Sequence, residues 1–183
     1  MLRTYTEAEM IDLWREVNGL SPTRADSRVE RTDGLNINAI ILRHVNSWYE
    51  SQLQSAAAKS LPVADLKDRA AITMLPHGVA EVTLPDECVR PLSVRLEGWK
   101  QKAKIMLDFN DTEAFLQRYF LTQGGPEQPV AFYNTAGEAD KLFLHSTPLA
   151  DPRLLELRCV VRPEPGTYRF DPSLITSIPV INV

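Results

Sequence analysis

Cysteine, histidine and glycine are scarce in this chain: two, three and eight residues among 183. Two cysteines make at most one disulfide, so no cross-linked scaffold is available. Cys88 and Cys159 both sit in apolar, strand-like runs, where a free thiol behaves as a small buried hydrophobe. The histidines, His44, His77 and His145, stand singly. None has another His, Cys or acid at ligand spacing, so the pattern predicts no zinc site and no metal or other cofactor. The only paired glycines, Gly124-Gly125, are not followed by the Lys-Ser/Thr that completes a phosphate loop. They read as the end of a helix.

Charge of one sign is not concentrated anywhere. Lys plus Arg number 20 against 24 Asp plus Glu, a net charge of −4. Phosphate neutralisation needs clustered cations, so specific nucleic-acid binding is not expected. No apolar run approaches the length of a membrane span. The opening MLRTYTEAEMIDLW places acids where an export signal needs an apolar centre. These absences predict a soluble protein made in the cytoplasm and not associated with membranes. The length suits one domain, a helical part over about 1–67 and a β-rich part over about 68–183.

What is present begins with a capping box. Thr6 is followed three residues later by Glu9, and Met10, Leu13, Trp14 and Val17 recur at helical spacing before Gly19, which predicts a helix over 7–18. Residues 21–34 are polar, mixed in sign and aperiodic, and read as an exposed linker or arm. A second helix is expected over about 37–58, capped by Asn36, with a wide apolar stripe of Ile37, Ile40, Ile41, Val45, Trp48, Tyr49 and Leu53. Pro62 stops it.

From Asp68 the period shifts from 3.6 to 2. Strands are expected over 69–75, 79–84, 89–97, 102–107, 130–134, 141–145 and 154–161. The strand at 102–107 is placed as the hairpin partner of 89–97, and Pro91 marks that strand as an edge or a bulged start. A third helix is expected over about 111–121, with Ala114, Phe115, Tyr119 and Phe120 as its apolar face. Asp171-Pro172-Ser173 reads as a cap before an apolar, β-branched end. The predicted class is α+β: two N-terminal helices, then about seven antiparallel strands interrupted by one helix.

Residues that carry chemistry elsewhere have local explanations here. His44 lies on the helical stripe and reads as a core or interface residue, and His77 reads as a solvated turn residue. His145-Ser146 are neighbours on a strand and point to opposite faces. No G-x-S-x-G elbow is present. The acid pairs Asp86/Glu87 and Asp108/Asp111 sit at corners and caps, where carboxylates serve local hydrogen bonds. Trp99, beside Gly98, reads as a large residue closing a turn against the core rather than as a stacking platform. No catalytic residues are assigned, and a non-enzyme is expected.

The run GVAEVTLPDECVRPLSVRLEGW, from Gly78 to Trp99, resembles a pattern in bacteriophage head-to-tail adaptor and tail tubular proteins. A strand ends in Leu-Pro-Asp, an apolar-Arg step follows, and a second strand ends in a Gly-Trp turn. The run from Pro129 to Pro163 continues the likeness, as do the Thr-x-x-Glu helix start and the long second helix. The resemblance implies a ring-forming virion component of a phage or prophage, a homo-oligomer between portal and tail proteins. A head-to-tail ring needs two different complementary patches on each subunit. Trp48, Tyr49, Leu174, Ile175, Ile178 and Val180 are the candidate assembly surface. The mild acidity suits a lumen along which DNA slides. Two other readings remain open: a cytosolic β-rich module binding a small ligand or carbohydrate, and a hydrolase with an unrecognised site.

Overall fold

A computed structural model describes residues 1–20, 36–106, 125–135, 139–145, 147 and 150–180, the side chain of His77 excepted. In chain order the elements are β1 (Arg3–Thr6), α1 (Glu7–Val17), α2 (Ile37–Ser55), β2 (Val63–Asp65), β3 (Ala71–Leu75), β4 (Val79–Thr83), β5 (Cys88–Leu96), β6 (Lys104–Met106), β7 (Val130–Asn134), β8 (Lys141–Leu144), β9 (Leu154–Val161) and β10 (Thr167–Phe170). The fold is α+β, with the helices toward the N-terminus. Two compact units form: Met1–Pro62 together with Arg162–Val183, and Val63–Val161.

In the first unit, α1 starts on the capping box read from the sequence. The Glu9 amide donates to the Thr6 hydroxyl at 3.3 Å, and the Thr6 amide donates to the Glu9 carboxylate at 2.8 Å. The helix ends in a Schellman turn: Leu20 N donates to Arg15 O and Gly19 N to Glu16 O, with Gly19 at φ 67°. Asn36 caps α2 through the Ala39 amide. The α2 stripe of Ile41, Val45, Trp48, Tyr49 and Leu53 is buried. It meets Phe170 and Tyr168 of β10, a strand that pairs antiparallel with β1. Phe170 is fully buried, stacked on Tyr5 at 4.8 Å and edge-on to Trp48 at 5.4 Å. The C-terminal segment thus completes the helical unit's core.

The second unit is a β-sandwich. One sheet has the order β2-β9-β5 and the other β3-β4-β8-β7-β6. Alternation selects the inner faces. Ala80, Val82 and Leu142 of the larger sheet share one buried cluster with Val94, Leu96 and Leu157 of the smaller. Pro91 explains an irregularity. It has no N–H for the ladder, and β5 is an edge strand whose register against β9 shifts between Cys88 and Arg90 and again between Pro91 and Ser93.

Several expectations need correction. The strand expected at 102–107 is β6, and it is not the hairpin partner of β5. The Ala103 amide, just before β6, donates to Val94 O at 2.9 Å, and β6 then runs parallel to β7 in the other sheet. Gly98 at φ 86° and the buried Trp99 turn the chain away there. The sheets are therefore not wholly antiparallel. Strands β1, β2 and β10 are additional to the seven expected: β1 pairs with β10 and β2 with β9, and pairing between such distant segments is not specified by sequence neighbours. Helix α2 ends at Ser55, and a 3₁₀ turn at Ala58–Ser60 takes over the last expected turn. The expected helix at 111–121 lies outside the described residues.

Candidate functional site

Among the described residues, two concave regions stand out, one in each unit. In the sandwich, a cleft of about 490 Å³ opens beside β6 and the approach to β7, where Gln101, Lys102, Lys104, Gln128 and Pro129 line it. Its cations are partly committed. The Lys102 ammonium donates to Glu156 Oε1 at 2.6 Å, and the Ser93 hydroxyl donates to the same oxygen at 2.5 Å. These bonds, that of Lys102 foremost, hold the Glu156 carboxyl below its ordinary range. The rim offers lysine and amide groups at an open edge.

In the helical unit, a hollow of about 220 Å³ lies between α2 and the turn leading into β10. The Arg162 guanidinium closes one side by a two-pronged bond to Glu50, at 3.1 and 2.9 Å. On the other side the Tyr168 hydroxyl donates to Asn46 Oδ1 at 2.5 Å. Burial raises the Tyr168 phenol above its ordinary range, and the nearby Glu7 carboxylate adds to the effect. The groups facing the hollow are thus tied to one another.

Among the described residues, the histidines and acids singled out from the sequence do not come together. His44 is exposed on α2, its ring lying over Trp14 with centroids 6.4 Å apart, so it is not a core residue. His145 is half-buried, edge-on to Phe132 at 5.1 Å, and burial lowers its pKa. Ser146, Asp108, Asp111 and Gly124 lie outside the described residues. Glu87 pairs with Arg69 at 2.5 Å at its corner. Cys88 and Cys159 are free, buried thiols. Trp99 is buried and its carbonyl accepts from the Arg95 guanidinium, which fits a turn-closing role. Among the described residues, no three His, Cys, Asp or Glu side chains are arranged to hold a metal ion, and no helix is long and apolar enough to cross a membrane.

The candidate assembly surface is largely internal. Trp48, Tyr49 and Ile178 are buried in the helical unit's own core, so they are unavailable to a partner. Leu174 and Ile175 are half-buried in a 3₁₀ turn over Pro172–Ser177, and Val180 alone of the six is exposed, at 61%. The apolar residues that do face solvent include Ile37 and Ile40, in the first turn of α2, and Leu155 in β9. The stripe on α2 continues past the end of its core, and a periodicity argument does not say where that core stops.

No protein-family model matches the chain, and no curated protein matches it in sequence.

Proposed function

We propose that this chain is a structural subunit of a phage or prophage particle, a ring-forming head-to-tail adaptor that acts through protein–protein assembly and catalyses no reaction. The observation that carries this reading is the position of the two corners that define the resemblance. Leu84-Pro85-Asp86 directly follows β4, and Gly98-Trp99 follows β5, with Leu84 and Trp99 both buried in the sandwich core. The corners therefore have architectural work: they fix where two core strands end and how the chain leaves the sheet. The exposed apolar residues Ile37, Ile40 and Val180 supply surface for neighbours in place of the buried aromatics.

The reading is tested by co-expressing the chain with the portal protein encoded nearest to it and imaging the purified particles by electron microscopy. An added ring of density on the portal supports it. A genome with no portal, capsid or tail genes flanking this one would overturn it.

A ligand-binding module is the second reading, favoured by the 490 Å³ cleft with its lysine and amide rim. Calorimetry against a panel of neutral and acidic sugars tests it. Heat of binding that disappears in Lys102→Ala would support this alternative at the expense of the first.

A further inference from the structure

The two sheets of the sandwich have four outer strands, and three of them are protected against pairing with another chain. Strand β2 is three residues long, follows Pro62 and ends in the exposed Asp65. Strand β5 carries Pro91 and two arginines, is bulged, and receives the Ala103 amide on Val94. Strand β6 is three residues long and begins with Lys104. Short length, charge, proline and bulges are the devices by which sheets avoid edge-to-edge association.

Strand β3 has none of them within its five residues, and Pro76 only marks its end. Its sequence is Ala71-Ile72-Thr73-Met74-Leu75, it pairs with β4 in unbroken register, and among the described strands it has no second neighbour. No Asp, Glu, Lys or Arg occurs from Ala70 to Ala80. Ala71 and Thr73 are exposed, while Ile72 and Met74 pack against the sandwich core. An uncharged, regular, β-branched edge leaves a row of backbone donors and acceptors that suit a further strand.

We propose that the β3 edge pairs with β3 of a second copy of this chain, antiparallel about a twofold axis centred on Thr73. The strand is complementary to itself in this register. Ala71 faces Leu75, Ile72 faces Met74, and Thr73 faces its own counterpart, a cross-strand pair that sheets favour. Ile72 and Met74 of both copies then extend one continuous apolar face, and no like charges meet. A slip by one residue in either direction would set Met74 or Ile72 opposite the exposed Thr73, so the register is specified. The contact is isologous, distinct from the head-to-tail contacts that close a ring, and it stands whether or not the adaptor reading holds.

Sedimentation of the full chain over a concentration series tests the association. A monomer–dimer equilibrium is expected, abolished by Thr73→Lys, which sets two ammonium groups face to face, and retained by Thr73→Val. Thr73 is exposed, so neither change disturbs the core. Mild oxidation of single-cysteine additions tests the register, the native thiols being buried. Thr73→Cys is expected to cross-link with itself. Ala71→Cys is expected to cross-link only when mixed with Leu75→Cys. A chain that stays monomeric throughout overturns the proposal. So does an oligomer indifferent to Thr73→Lys, or one in which Thr73→Cys does not cross-link.

Discussion

The Tyr49 hydroxyl is bonded twice to one residue, Arg169: it donates to the carbonyl and accepts from the amide, both at 3.1 Å. Among the described strands, β10 has a neighbour, β1, on one side only. On the other, a phenol from α2 does what a neighbouring strand would do, satisfying an amide and a carbonyl of one residue. This explains how a four-residue strand near the C-terminus holds its place in the helical unit.

Tyr49→Phe keeps the ring packing against Phe170 and removes only the hydroxyl. The Arg169 amide and carbonyl then lose their partner in a largely buried site. A loss of about 1–3 kcal/mol is expected. Urea unfolding of the full chain, followed by tryptophan fluorescence, checks it through a lowered midpoint at unchanged slope. A midpoint equal to wild type would show that water replaces the hydroxyl without penalty.

Alkaline pH should weaken both units. The phenols of Tyr49, Tyr133 and Tyr168 are all held above the ordinary range, in each case chiefly by burial. Tyr133 is furthest displaced, and its donation to Asp140 Oδ2 at 2.6 Å adds to the effect. A raised pKa in the folded state means that the unfolded chain releases its protons first. The stability is therefore complete below about pH 10, the free phenol value, and falls as pH rises beyond it. Absorbance at a phenolate wavelength should show these three titrating late in the folded protein and normally in urea. Tyr133→Phe should remove the largest part of the difference.

The two thiols should be inert while the chain is folded. Cys88 is hydrogen-bonded to Cys159, and that bond, together with burial, pushes its pKa far above the usual thiol range. Thiolate is the reactive form, so access and ionisation are both denied at Cys88, and burial denies access at Cys159. A bulky aromatic disulfide reagent is expected to label neither cysteine in native buffer and both in denaturant. Fast labelling under native conditions would show that the sandwich opens locally.

Gly19 separates backbone cost from steric cost. Its φ of 67° lies in the left-handed region, yet an added Cβ would meet nothing within 4 Å. Gly19→Ala should therefore cost only the conformational penalty of about 1 kcal/mol. Thermal unfolding would register a drop of a few degrees. A larger loss would mean that the Schellman turn itself gives way.

Wherever an element depended on neighbours in sequence, the sequence alone determined it. The capping box at Thr6 and Glu9, the left-handed stop at Gly19, the Asn36 cap and the seven expected strand segments all follow from spacing, cap chemistry and turn residues, which act within a few positions. The buried faces of β4 and α2 follow from periods of 2 and 3.6. Tertiary structure decided the rest. Nothing within 98–106 says that β6 will leave β5 and lie parallel to β7, because strand pairing is a contest among distant edges. Strands β1 and β10 lie far apart in the sequence, and each exists through the other. The same long-range pairing drew Trp48, Tyr49 and Ile178 inward, since an apolar stripe read from sequence asks for a cover without saying whether the chain itself or a partner provides it.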